Sequence, residues 1–269
     1  MSFQTHESNG LIWLTSAYLC GDGLRHGFST RTGGVSPAPW DSLNLGPGRG
    51  DGDACLQENY RRLCTATGMD VSRVVLSRQV HEDNIRLVTS ADAGKGLWQQ
   101  RDYTSVDAMI CNEKNIPLVV FGADCGVILL HDPVHQAIGA VHAGWRGVAQ
   151  GLVHKTVLRM QEVFGTDPAD LYCALGPSIG QCCFETDDDV PSALRQSLGE
   201  DILPYMERRG SKWHIDLKGI NALWLRRAGV AAERIDICPH CTGCMPELYW
   251  SHRKLGEARG NQCAIISLV

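Results

Sequence analysis

The 269 residues hold no apolar run long enough to cross a membrane; the most apolar stretch, PLVVFGADCGVILL (117–130), is too short and carries Asp124 in its middle. The N-terminal MSFQTHESNGLIWL lacks a basic segment followed by an apolar run and a small-residue cleavage site, so nothing marks it for export and a cytoplasmic location is expected. Net basic charge is missing as well. With 25 Lys+Arg against 30 Asp+Glu there is no overall field attractive to nucleic acid or anionic lipid, although a local basic pocket could still hold a phosphate. Fixed-period repeats and low-complexity tracts are absent, which excludes a solenoid or a long linker. The 10 histidines contain no His-x-His pair, and multicopper oxidation needs a larger histidine set around several ions.

What is present suits an ordinary globular protein. The chain is 43% hydrophobic and 20% charged, enough for a sizeable core, and its length is compatible with a single domain over residues 1–269. The 12 cysteines, including the neighbours Cys182 and Cys183, show no small-scaffold spacing; in a cytosolic chain they read as thiols or metal ligands rather than as a disulfide framework.

Periodicity and turn residues outline the elements. Residues 32–54, rich in Gly, Pro, Asp and Ser, form a long loop of the kind that often carries function. Leu56, Tyr60, Leu63 and Cys64 then share one face of a helix over 55–69. Strands are expected at 74–81, at 107–112, once or twice within 116–132, and at 136–144. A helix from Val148 ends at Gly165. Further on come a strand at DLYCALGP, a helix near 189–198, a helix in the second half of KWHIDLKGINALWLRRAG, and strands at RIDICPHC and NQCAIISLV. This mixture gives an α/β (α+β) fold, a mixed sheet core flanked by helices, without the regular alternation of a Rossmann fold or a (β/α)₈ barrel.

Three residues stand at strand ends in this outline: His81, Cys125 just after Asp124, and His142. Two imidazoles and a thiolate suit Zn²⁺, and three protein ligands with one open position is the usual catalytic arrangement. Their spacing is not a short metal motif, so a carbonyl-bonded histidine and an inert core cysteine compete with the metal reading. A second cluster, CPHCTGC, offers Cys238, His240, Cys241 and Cys244. Crowding these ligands into so short a segment is unlike the separated pairs of most structural zinc sites, which favours packing or redox-sensitive thiols there.

The segments HGFSTRTGGVSPAPWDSLNLG, ENYRRL, RQVHEDNI, DAMIC, GADCGVILLHDP, AVHAGWRGVAQG, ALGPSIGQCCFE and CTGCMPELYWSHRKLG occur in this order. Together they resemble the YfiH or laccase-domain family, described under polyphenol oxidase, purine nucleoside phosphorylase and peptidoglycan editing factor names. The resemblance runs from about residue 25 to the C-terminus. It implies a layered β-sandwich core flanked by helices, similar to bacterial toxin deamidases, with zinc ligands at His81, Cys125 and His142 and with Gly144 and Gly147 allowing close backbone approach.

It also implies phosphorolysis of adenosine, inosine, guanosine and methylthioadenosine with inorganic phosphate as co-substrate, and deamination of adenosine. For these reactions Asp124 is the candidate proton relay, and Arg146 and Arg31 are the candidate anion holders. Each has a plainer reading: a loop-ordering carboxylate for Asp124, a salt bridge for either arginine. Two departures stand out: Tyr60, where many relatives carry arginine, and Gln181 before the paired cysteines; the tail ARGNQCAIISL matches imperfectly and is assigned no site. Two other classes compete with the zinc enzyme. One is a cysteine- or zinc-dependent amide hydrolase editing peptidoglycan precursors, with Cys125 as nucleophile and His142 as base; the other is a non-enzymatic protein with structural zinc.

Overall fold

The computed structural model describes residues 2–269. Two six-stranded sheets face one another. In the first, the order is Phe3–Ser8, Leu11–Ser16, Leu24–Ser29, Gln262–Leu268, Leu118–Gly122 and Val75–Leu76; in the second it is Ile235–Ile237, Tyr172–Leu175, Gly126–Asp132, Ala137–Ala143, Ala108–Cys111 and Ile85–Leu87. A three-stranded sheet of Glu185–Thr186, Lys212–Ile215 and Met206–Arg209 stands apart.

Side-chain parity explains the layering, because successive residues of a strand point to opposite faces. On Leu118–Gly122, Leu118 and Val120 enter the core between the sheets, whereas Val119 and Phe121 pack outward with Tyr60 and Leu63 of the helix Asp53–Thr67. On Gly126–Asp132, Val127 and Leu129 face inward, while Ile128 and Leu130 join Val157 and Met160 of the helix Leu152–Phe164 and Ile220 and Leu225 of the helix Leu217–Arg227. Strands covered on both faces read as continuous apolar runs, which is why 117–130 is so hydrophobic without spanning a bilayer. The mixed sandwich with flanking helices is the architecture expected from the sequence.

Several boundaries differ. The strand expected over 74–81 is only Val75–Leu76; His81 lies beyond it, in a loop. The apolar run 116–132 is two strands belonging to different sheets, with the chain crossing between them at Ala123–Cys125. The helix expected from Val148 to Gly165 is two, Trp145–Ala149 and Leu152–Phe164, broken where Gly151 takes φ of 70°. A glycine supplies that left-handed turn at little cost, and apolar periodicity carries on across it. The N-terminal strands escaped sequence reading; the first, Phe3–Ser8, is an edge strand with mostly exposed side chains, so it has no buried face to leave a pattern.

Candidate metal centre and flanking cavity

The crossing between the sheets, the end of an inner strand and the loop after Val75–Leu76 converge at one end of the sandwich. There the ligating atoms of His81, Cys125 and His142 all lie within 4.8 Å of one another. Cys125 Sγ is 3.8 Å from His81 Nε2, and the two imidazoles meet edge to face with centroids 4.9 Å apart.

Each ligand is held by its surroundings. His142 is buried, and Asp107 Oδ1 accepts its Nδ1–H at 2.8 Å, which leaves Nε2 free to ligate. The same carboxylate accepts the backbone amides of Val80, His81 and Glu82. Wrapping three consecutive amides around one carboxylate turns the chain sharply, and His81 adopts φ of 65° there. Gly144 completes the cradle: a Cβ on it would stand 2.8 Å from His81 Cδ2 and 3.2 Å from Cys125 Sγ. Gly147 shows no such tight packing: a Cβ on it would make only ordinary contacts at 3.6 Å.

Electrostatics favour a thiolate beside an imidazolium. Burial opposes charge on Cys125, yet hydrogen bonding and charge from His142, and then from His81, bring its pKa from 9.0 down to about 6. Burial likewise opposes charge on His142, but Asp107 and Cys125 raise it from 6.5 to about 9. Asp107 is itself lowered: burial works against its charge, and the His142 hydrogen bond and the Val80 amide outweigh it.

Two cavity lobes of about 170 and 390 Å³ open on this cluster. Arg49, Arg78, Arg101 and Arg259 line the smaller one. Arg101 Nη2 is buried without a hydrogen-bond partner. The larger lobe is walled by Trp145, Ile179, Phe184 and Leu217, with Arg146 and Arg253 among its lining.

The other expected site residues fall into place unevenly. Asp124 lines the larger lobe, but Thr242 Oγ1 donates to its Oδ1 at 2.5 Å, and Ser251 Oγ and the Arg253 amide occupy Oδ2 at 3.0 and 2.7 Å. With both oxygens engaged it orders the loop before Cys125; the plainer of its two readings fits the geometry. Arg146 reaches the larger lobe and stacks on Trp145 at 4.3 Å.

Arg31 is not brought to either lobe. Its guanidinium lies 3.9 Å over Trp250 and donates to the Pro246 and Asp41 carbonyls, which ties the glycine-rich loop to the C-terminal segment. Tyr60 is a fully buried core residue whose hydroxyl donates to the Leu45 carbonyl. Cys238 is buried between the sheets, and His240 Nδ1 meets Tyr249 Oη at 2.8 Å; the CPHCTGC segment does not fold into one ligand set.

Sequence reading missed Asp107, Arg78 and Arg259. Asp107 opens the DAMIC segment and Arg78 opens RQVHEDNI, so the motifs carried a signal for both. Arg259 lies in the tail that was assigned no site.

The family model described as "Multi-copper polyphenol oxidoreductase laccase" matches residues 25–269. The chain belongs to this family. Among its members, the Bacillus subtilis (strain 168) protein named "Purine nucleoside phosphorylase YlmD" is 33% identical over 246 residues, covering 90% of this chain and 87% of that one. The mouse "Purine nucleoside phosphorylase LACC1" is 31% identical, over 96% of this chain and 59% of its own length. Of solved structures, YlmD from Geobacillus stearothermophilus superposes with a TM-score of 0.91 at 34% identity, covering 99% of this chain and 98% of that one. The Bacillus licheniformis hypothetical protein YfiH gives 0.90 at 27%, covering 98% and 99%.

Proposed function

We propose that the protein is a zinc-dependent purine nucleoside phosphorylase acting on adenosine, inosine, guanosine or methylthioadenosine. The observation that carries this reading is the His81–Cys125–His142 cluster placed beside a lobe lined by Arg49, Arg78, Arg101 and Arg259. The phosphorylase names borne by relatives at 33% and 31% identity support it.

The donor set fits Zn²⁺: two imidazoles and one thiolate, already close together, with a carboxylate orienting one ring from behind. When bound, the ion supplies Lewis acidity at the mouth of both lobes. Arg101 and Arg78, with Arg49 and Arg259 at hand, bind and orient inorganic phosphate. Trp145 and Phe184 cover the purine with aromatic and apolar surface. The phosphate oxygen attacks the ribose C1′ as the C–N glycosidic bond breaks, and the purine leaves with a proton. Arg146 closes the rim of the base lobe, and Asp124 acts as a positioning residue for the loop of Cys125.

A second reading rests on one specific observation. Cys125, His142 and Asp107 also have the roles of a nucleophile, its base and the carboxylate that orients the base. In that case the substrate is an amide, such as a peptidoglycan precursor.

Incubating the purified protein with adenosine, with and without phosphate, and separating adenine, inosine and ribose 1-phosphate distinguishes these. Phosphate-dependent adenine and ribose 1-phosphate, lost on chelation and in Cys125→Ala, support the phosphorylase. Inosine formed without phosphate points instead to deamination. No product from folded, zinc-loaded protein sinks the nucleoside reading and leaves the amide hydrolase.

A further inference from the structure

A second group of ligands assembles away from the first, from cysteines far apart in sequence. The Sγ atoms of Cys182, Cys183, Cys241 and Cys244 all lie within 4.8 Å of one another. Cys244 Sγ is 3.4 Å from both Cys182 Sγ and Cys183 Sγ. No disulfide joins them; an S–S bond would bring one pair to about 2.0 Å and strand the remaining thiols. Four thiolates arranged tetrahedrally at a Zn–S distance of about 2.3 Å stand about 3.8 Å apart, close to the spacing here. A cluster of several bridged irons would hold its outer thiolates farther apart than a single ion does.

The surroundings are shaped for such a group. Cys241 and Cys244 are a C-x₂-C pair on one turn, in which the Cys241 carbonyl accepts the Cys244 amide at 3.1 Å. The Gly180 amide donates to Cys241 Sγ at 3.1 Å. Glycines clear the space: a Cβ on Gly243 would be 3.0 Å from Cys183 Cβ, and one on Gly180 3.3 Å from Cys241 Cβ. One buried cation lies close by. Lys218 is buried, its ammonium donating to the Cys238 and His240 carbonyls in the segment leading to Cys241.

We infer that Cys182, Cys183, Cys241 and Cys244 bind a structural Zn²⁺ ion, separate from the one at His81, Cys125 and His142. Each thiol gives its proton to solvent as the ion binds, and no oxidant is involved. The ion clamps the segment around Gly180–Glu185 to the segment 241–244. That clamp bears on the first site: Thr242, between the two cysteines, donates to Asp124 next to Cys125, and Arg253 spans from the Cys183 and Glu185 carbonyls to Asp124.

The test is metal counting on intact protein and on variants of each site. The wild type is expected to carry two Zn²⁺ per chain by elemental mass spectrometry. The variant Cys125→Ala/His142→Ala keeps one, and its Co²⁺ form shows the charge-transfer and d–d absorption of a four-thiolate tetrahedral site. Cys182→Ser/Cys244→Ser retains the other. Because the cobalt spectrum is read in a variant whose thiol cluster is untouched, misfolding of the cysteine double variant does not decide the outcome. Metal-free Cys125→Ala/His142→Ala protein that takes up no Co²⁺ overturns the inference. So does bound iron in place of zinc, or a Cys182–Cys244 or Cys183–Cys244 disulfide in freshly prepared protein.

Discussion

Asp107 Oδ1 accepts the Nδ1–H of the buried His142 at 2.8 Å while the backbone amides of residues 80–82 close on the same carboxylate. One side chain therefore fixes the orientation of one candidate ligand and the backbone position of another. Replacing Asp107 by Asn keeps the size but removes the charge that holds His142 as a donor at Nδ1. Metal affinity is expected to fall about 10- to 100-fold, measured by competition with a chromophoric chelator, with little change in far-UV circular dichroism. Unchanged affinity would show that the ligands are positioned without it.

The depressed pKa of Cys125 has a direct readout in metal-free protein. The thiolate is the reactive form, so alkylation of Cys125 by iodoacetamide rises with pH to a plateau just above a midpoint near 6 and falls tenfold per unit below it. An ordinary thiol still gains reactivity up to about 9. His142→Gln removes the first stabilising partner and shifts the midpoint upward. Site-resolved mass spectrometry isolates Cys125 from the other thiols, and added Zn²⁺ protects it if it ligates the ion. A midpoint near 9 in the wild type would remove the thiolate–imidazolium pair.

How far the sequence reveals this site depends on which interactions are local. The apolar strands and the amphipathic helix Asp53–Thr67 were visible, because burial on one or two faces writes a period into the chain. His81, Cys125 and His142 stood out as ligand types at element ends. Their partners did not: Asp107 acts on three amides more than twenty residues earlier, and the thiols of Cys182 and Cys183 meet those of Cys241 and Cys244 through tertiary folding alone. Arg31 stood out on the glycine-rich loop, whereas the stacking of its guanidinium on Trp250 is a tertiary contact that no local pattern announces.

Gly144 is where a single methyl group decides the geometry. In Gly144→Ala the new Cβ meets the His81 ring at 2.8 Å and Cys125 Sγ at 3.2 Å, so the ring must swing out of the cluster. Loss of bound metal and of turnover is expected while the thermal transition stays close to wild type. Gly147→Ala, with nothing nearer than 3.6 Å, should retain both metal and activity. Equal behaviour of the two variants, by metal analysis and by rate, would count against the cradle.

The arginines separate substrate binding from structure. Arg101→Gln withdraws one of the guanidinium groups that line the smaller lobe. If phosphate is its acceptor, the lost charge-assisted hydrogen bond is worth about 1.5–3 kcal/mol, a rise of about 10- to 100-fold in the KM for phosphate, with the KM for nucleoside changing far less. Arg31→Ala should do the opposite. Its stacking on Trp250 and its bonds to the Pro246 and Asp41 carbonyls are structural, so the melting temperature drops while the phosphate KM holds. A phosphate KM that moves with Arg31 and not with Arg101 would relocate the anion site to the glycine-rich loop. The same kinetics in Arg146→Ala test the base lobe, where the nucleoside KM is the quantity expected to rise.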